Sequence, residues 1–374
     1  MKKNSRITAY IHMNAVAANF ENMRKKLEED TKMIAVVKAD GYGHGAVPVA
    51  ELVEPYDYIW GFAVAAVEEG LTLREAGIRK PILVLGYTFE EDYGTMITNE
   101  IRPAVFTLEM AEAFDQAAKR LGVCAPIHLA VDTGMSRIGF SDGEAGVQTA
   151  LQAGSLKHLQ VEGVFTHFAK ADELDKTYTN MQMDRFRAFC GRLETGGLTG
   201  FMRHCSNSAG ILEIPQAHMD MVRAGITMYG IYPSDEVSRE LPLAPVMELK
   251  SHVVYVKEIE AGTPVSYGGT FVADKPMKVA TIPVGYADGY PRSLSNRGSV
   301  LIRGKRAPII GRVCMDQFMV DVTGMEAETL DEVTLLGRDA EEEITIDELG
   351  ELSGRFPYEF VCVVGKRVPR IYIK

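Results

Sequence analysis

The 374-residue chain has no cysteine pair spaced C-x-x-C, and its five cysteines, Cys124, Cys190, Cys205, Cys314 and Cys362, are scattered and odd in number. Such a distribution offers neither a disulfide framework nor a zinc site, so no metal is expected, and it fits reduced thiols in a cytoplasm. Basic residues are in deficit: 40 Lys and Arg stand against 51 Asp and Glu, for a formal net charge of −11. Nucleic acids and anionic membranes are bound through basic patches, so neither is an expected partner. No apolar run approaches the length that crosses a bilayer. Met1 to Arg6 is basic, but apolar and polar residues then alternate and Asn14 and Asn19 interrupt, so no secretory signal is expected. Internal repeats and low-complexity segments are missing too. The acidic run at 340–343 reads as a solvated loop.

What the chain does have is 46% hydrophobic residues, which at this length suits one barrel-sized domain plus a smaller one. Short β-rich runs fall at 33–38, 58–64, 81–86, 102–107, 126–131, 160–166, 201–205 and 221–228. Helical spacing separates them at 14–29, 45–54, 67–76, 108–121, 144–153, 179–195 and 207–213. Strand alternating with helix implies a parallel sheet. Eight such units are the size of a (β/α)8, TIM-like barrel, so the expectation is an α/β fold with a barrel over 1–240 and functional groups at the C-terminal strand ends. From about 240 the pattern turns strand-rich, at 247–258, 278–283, 298–302, 307–310, 318–322, 332–336 and 360–364. Asp288-Gly289 and Arg303-Gly304 make turns between these runs, and a mostly-β domain is expected over 241–374. Pro242 and Pro245 mark the join.

Sorting polar residues by their place at strand ends gives Lys38 and Tyr42, Asp132 and Arg137, His167, Asn207 and Ser208, and Arg223. Lys38 leaves the apolar run Met33-Ile34-Ala35-Val36-Val37 and opens a glycine-rich loop. A lysine there is either snorkelling to water or held for chemistry, and a desolvated lysine forms Schiff bases with carbonyls. Each of the others has a plain alternative: Asp132 as a helix cap, His167 as a satisfied core histidine, Arg223 as a surface cation. Their convergence on one barrel mouth argues for a site. Loops after the seventh and eighth strands of such barrels commonly bind phosphate, which makes Ser208 and Gly225 phosphate ligands, unless Gly225 is a strand bulge. An imine-forming lysine beside an uncharged phosphate cradle points to pyridoxal phosphate.

The segment Ala35-Val36-Val37-Lys38-Ala39-Asp40-Gly41-Tyr42-Gly43-His44-Gly45 resembles the cofactor-lysine signature of the alanine racemases. So do Asp132-Thr133-Gly134-Met135-Ser136-Arg137-Ile138-Gly139, Arg223-Ala224-Gly225-Ile226-Thr227-Met228-Tyr229-Gly230, Gly285-Tyr286-Ala287-Asp288-Gly289 and Gly311-Arg312-Val313-Cys314-Met315-Asp316-Gln317, in the family's order.

The resemblance implies a barrel followed by a β domain that the segment near Arg6–Met13 also joins, and a head-to-tail homodimer with shared active sites. It implies a cytoplasmic enzyme that racemises alanine with pyridoxal phosphate and supplies D-alanine for peptidoglycan. Proton removal from one face of Cα and return on the other needs two bases. Lys38 resembles the base for the D-enantiomer and Tyr267 the base for the L-enantiomer. A free phenol titrates about three units above neutrality, so a tyrosine base needs a neighbour that stabilises its phenolate, here His167 and Arg223 by resemblance. Arg223 also resembles the group facing the pyridine nitrogen; arginine can only donate, so it keeps the ring neutral and limits side reactions.

His167 and Asn207 join the implied cofactor-binding set, and Tyr42, Ser208 and the backbone of Gly225 and Ile226 resemble its phosphate contacts. Arg137 and the Met315 backbone resemble the substrate-carboxylate holders, and Tyr286 a gate. Tyr267, Met315 and Asp316 are expected from the neighbouring subunit. Two positions depart from the family. Ala130 stands where some members carry a carbamylated lysine that braces the arginine. Lys366 replaces a common tyrosine and is a candidate phosphate contact that could widen the pocket toward serine. A serine/alanine racemase is therefore an alternative. A pyridoxal-phosphate decarboxylase is disfavoured because no acidic residue takes the place of Arg223.

Overall fold

The computed structural model describes residues 5–374; the basic Met1–Asn4 stretch lies outside the described residues. Short runs, most of them rich in Val, Ile and Ala, form parallel strands that can be covered on each side. Eight of them, Lys32–Val36, Ile59–Val64, Ile82–Val84, Ile101–Val105, Ala125–Asp132, Leu159–Phe165, Met202–His204 and Met221–Ala224, pair in sequence, and the eighth returns to pair with the first. The Arg223 N–H donates to the Ser206 carbonyl at 3.0 Å beside the seventh strand, so the parallel barrel is nearly closed. Helices alternate with the strands, and their ends follow local chemistry. In Leu108–Leu121 the Thr107 side chain accepts from the Met110 N–H, and Gly122 takes the left-handed conformation that ends the helix.

Several boundaries differ from the sequence reading. The first strand ends at Val36, before Lys38, because Ala39, Asp40, Gly41 and Tyr42 all have positive φ. The eighth stops at Ala224, where Gly225 leaves the extended region and Ile226–Tyr229 coils into a 3-10 turn. The helix read at 14–29 is Met13–Arg24; Arg24 then donates to the Glu28 and Glu29 carbonyls, at 2.7 and 2.5 Å. Helix Tyr93–Thr98, absent from that reading, precedes the fourth strand.

The chain divides into two compact units. One runs through Val16–Gly41 and Gly45–Leu243; the other comprises the N-terminal segment through Ala15, Tyr42–His44 and Ala244–Lys374. The second unit is built on a ten-stranded, mostly antiparallel sheet. Within it Ile7–His12 pairs antiparallel with Met247–His252 and parallel with Arg370–Ile373. The run read as one strand over 247–258 is two, Met247–His252 and Tyr255–Ile259. The run at 360–364 is not a strand: Pro357, preset for a first helical turn, opens helix Pro357–Cys362. Nor is the acidic run at 340–343 a free loop. Ala340 turns with φ 54° and Glu342–Ile344 returns as a strand, with Glu342 accepting from Arg306 at 2.9 Å.

One buried carboxylate ties this unit together. Asp288 accepts from Arg6 Nη1 at 3.0 Å, from Arg6 Nη2, from Arg367 Nε at 2.7 Å and from its own turn's Gly285 N–H at 2.9 Å. Burial alone would push this carboxyl up, but the hydrogen bonds from Arg6, Gly285 and Arg367 outweigh it and hold the group below the usual carboxylate range. The arginine side chains are 37% and 42% exposed, so solvent screens the pairing. Asp288→Asn should therefore lower stability at pH 7 by about 2 kcal/mol, short of the full penalty for a broken buried pair. A carboxyl with a depressed folded pKa stabilises above its unfolded value of about 3.9, and that contribution is lost as pH falls through the folded value. Urea unfolding of both proteins should thus show the gap closing between pH 5 and pH 3; an undiminished gap would mean that packing, not charge, is responsible.

Candidate active site

The loop after the first barrel strand carries Lys38. Three non-glycine residues in it, Ala39 (φ 52°), Asp40 (φ 50°) and Tyr42 (φ 53°), adopt a left-handed backbone that costs about 1–2 kcal/mol each. Fixed bonds offset that strain: Glu69 Oε1 accepts from the Ala39 N–H at 2.6 Å and the Val37 carbonyl from the Gly41 N–H at 2.8 Å. The Asp40 carboxylate accepts from the Ala46 N–H at 2.9 Å. A strained segment held from several sides is what a positioned functional lysine needs.

Arg223, on the eighth strand, is 3% exposed. Its Nη1 donates to the His204 carbonyl at 2.8 Å and to His204 Nδ1 at 3.0 Å. Its Nη2 donates to the carbonyls of Thr166 (2.7 Å) and Cys205 (3.1 Å) and to His167 Nδ1 (3.2 Å). The guanidinium lies over the Phe165 ring at 5.5 Å. Burial lowers its pKa to about 10, so it stays charged at neutral pH. Nε–H is its one donor without a hydrogen-bond partner among the described residues. Burial, then the charges of Arg223, Arg137 and Lys38, hold His167 well below the usual histidine range, so its ring is neutral and accepts at Nδ1.

Asn207 caps helix Ser208–Glu213, its Oδ1 accepting from the Gly210 N–H at 3.0 Å. Ser208 Oγ accepts from the Gly225 N–H at 3.0 Å and the Thr227 N–H at 3.4 Å. Ser208, Gly225 and Thr227 thus form one small polar cluster, with Ile226 between the last two in sequence; Gly225 ends its strand rather than bulging it. Asp132 caps no helix. Its Oδ1 accepts from the N–H groups of Gly134 (2.9 Å) and Ser136 (3.0 Å), closing the loop that presents the exposed Arg137. Tyr178 OH donates to the Gly134 carbonyl of the same loop at 2.8 Å. Ala130 packs with Ala104 and Phe165 in an apolar cluster and offers Arg137 no polar group.

In the second unit, Tyr42 is buried, its ring 6.3 Å from that of Tyr358; burial and then Cys362 push its phenol up. Tyr267 opens a tight turn and is 71% exposed. Ser266 Oγ donates to the Arg312 carbonyl at 2.6 Å and lies 3.4 Å from Cys314 Sγ, which joins that turn to the loop of Met315 and Asp316. The N–H groups of Tyr286 and Ala287 donate to the carbonyls of Cys314 and Met315, both at 3.1 Å. A Cβ on Gly285 would stand 2.3 Å from both carbonyls, so the two loops meet only because that position is glycine. Arg367 Nη2 donates to Asp316 at 2.7 Å, and the exposed Lys366 precedes it. Sequence reading missed Arg6, Asp288 and Arg367 as a group, because an ion pair across 282 positions leaves no local pattern.

No helix among the described residues is long and apolar enough to cross a membrane, and no cluster of metal-ligating side chains occurs among them. The family description "Alanine racemase, N-terminal domain" matches residues 11–233, and "Alanine racemase, C-terminal domain" matches 246–372. An alanine racemase of Methanococcus maripaludis is 45% identical over 371 residues, covering 98% of each chain. The solved alanine racemase of Clostridium difficile 630 superposes with a TM-score of 0.94 at 40% identity, over all of this chain and 97% of that one. That of Bartonella henselae, with covalently bound pyridoxal phosphate, gives 0.87 at 28% identity, over 98% of this chain and 99% of that one. A barrel ending in a strained lysine loop and a buried arginine, joined in sequence to a β unit matched over its own length, places this chain in the alanine racemase family.

Proposed function

We propose that this chain interconverts L-alanine and D-alanine with pyridoxal phosphate, as a cytoplasmic head-to-tail homodimer supplying D-alanine for peptidoglycan. The observation that carries the reading is Arg223: a buried cation with both terminal nitrogens committed to the protein and Nε–H left over is suited to donate to a ring nitrogen and cannot protonate it. The residues present fit the cofactor. Lys38 would hold its aldehyde carbon, and Arg223 its ring nitrogen. Tyr42, Ser208 and the N–H groups of Gly225 and Ile226 would hold its phosphate, with His167 and Asn207 lining the site and Lys366 a further phosphate contact.

Pyridoxal phosphate, once bound, acidifies the Cα–H of an attached amino acid. Lys38 would remove or return the proton on the D face, and Tyr267, from the neighbouring subunit, would do so on the L face. Arg137 and the Met315 backbone hold the substrate carboxylate so that Cα stays between the two bases, with Asp316 beside them and Tyr286 at the entrance. The exposure of Tyr267 and Met315 in a single chain, 71% and 53%, supports their use by a second copy.

Lys38→Ala should abolish the absorption band of the lysine-bound cofactor and cut racemisation by about 1000-fold or more; an unchanged spectrum rejects the assignment. Tyr267→Phe should also lose racemisation, while Lys38 continues to exchange the Cα proton of D-alanine for solvent deuterium, read by mass spectrometry. Full racemisation in that variant would remove Tyr267 as a base. Measured side by side, kcat/KM should favour L-alanine over L-serine by about tenfold or more, the scale a pocket of fixed size achieves. Comparable values would make Lys366 a specificity change.

A further inference from the structure

Behind Arg223 a line of polar side chains crosses the barrel. His204 Nε2 lies 2.9 Å from His128 Nδ1, and His128 Nε2 lies 3.3 Å from Glu162 Oε2. Glu162 also accepts from Arg102 Nε at 3.0 Å and Nη2 at 3.4 Å. His128 and His204 stand on the fifth and seventh strands, which are separated by the sixth, so their bond runs through the barrel interior. It passes over Gly163 of the sixth strand, where a Cβ would come within 2.4 Å of His128 Nδ1. Both histidines are fully buried; the Trp60 ring lies 5.3 Å from that of His128, and the Phe165 ring stacks on His204 at 5.0 Å.

The two ends of this line differ in kind. Arg223 can only donate, and an ionised Glu162 can only accept. His204 must then offer a bare Nδ1 to Arg223 and carry its proton on Nε2. That proton goes to His128 Nδ1, so His128 carries its own on Nε2, aimed at Glu162. Only one arrangement of protons satisfies all four groups. In the reverse arrangement His204 would point an N–H at an N–H of Arg223, and the guanidinium would have to turn, taking Nε with it.

We propose that Glu162 is a positioning residue for Arg223: closing the far end of the chain Arg223, His204, His128, Glu162 with an acceptor, it adds to the exclusion at Arg223 and so opposes the reversal that would make the guanidinium turn. The proposal rests on the reading of Arg223 as the partner of the cofactor's ring nitrogen. The charged groups facing the two imidazoles are Arg223, Glu162 and Arg102. Burial holds both histidines below the usual range, with Glu162 pulling His128 back up and Arg223 driving His204 further down. Burial would raise Glu162, but its bonds from His128 and Arg102 hold it at about 2, ionised throughout the working range.

The test is nitrogen-15 NMR of the histidine rings in the full-length protein, before and after cofactor is added, with kinetics alongside. In the unaltered protein His128 and His204 should each show a single protonated nitrogen, Nε2, unchanged from pH 8 to pH 5.5. Glu162→Gln keeps the shape but can donate as well as accept, so the reverse arrangement is then opposed at Arg223 alone; both rings, including His204 one link away, should show a minor Nδ1-protonated tautomer. Its kcat should fall about tenfold with KM within twofold, the scale on which removing an outer partner acts. Arg102→Gln removes both guanidinium donations to Glu162, so the His128 Nε2 proton should move downfield with its tautomer retained. A cationic or Nδ1-protonated His204 in the unaltered protein, an unchanged His204 in Glu162→Gln, or an unmoved His128 proton in Arg102→Gln overturns the proposal. Correct tautomers in a protein that does not racemise alanine would count against the functional reading instead.

Discussion

Taking the guanidinium of Arg223 out of water is the constraint around which the barrel's polar interior is arranged. A buried charge costs several kcal/mol unless it is compensated, and among the described residues no carboxylate pairs with this one. The carbonyls of Thr166, His204 and Cys205 and two imidazoles take its protons instead. Dipoles satisfy the hydrogen bonds without neutralising the charge, which leaves the arginine a full cation able to act on whatever meets its remaining N–H. Neutral histidines follow from the same constraint, since a second cation beside the first would be repelled.

Carboxylates appear elsewhere, and three of them work at least in part through the backbone. Asp40, Asp132 and Asp288 each accept from a main-chain N–H in a tight turn, and each turn bears or borders a residue assigned to substrate or cofactor. Acidic groups shape the loops that carry the lysine, arginine and tyrosine side chains proposed for chemistry. The exposed tips are therefore far less free than their position suggests: Tyr267, Arg137 and Met315 all sit on backbone that is tied down within a few residues.

The eight barrel strands were legible because a parallel sheet buried on both faces draws on apolar runs, of which Met33-Ile34-Ala35-Val36-Val37 and Ile82-Leu83-Val84-Leu85 are plain cases. Strand ends were less legible where conformation depended on something other than hydrophobicity. Lys38 reads as the last residue of a strand because nothing in its own chemistry announces that the next four residues have positive φ. The 360–364 run, Phe-Val-Cys-Val-Val, has strand composition but becomes helical because Pro357 and tertiary packing outweigh that preference. Candidate site residues on loops after strands were found by position alone. The interior line from Arg223 to Glu162 escaped notice because its members are spread over four strands, and only Gly163, a residue without a side chain in mid-strand, hinted that something needed the space.

Trp60 is the only tryptophan in the chain, and its indole lies against His128. Every photon the protein emits as tryptophan fluorescence therefore originates beside the central link of that buried line. An imidazolium quenches a neighbouring indole far more than a neutral imidazole does, so the barrel contains its own optical gauge of whether His128 has gained a charge, readable without a label and without substrate.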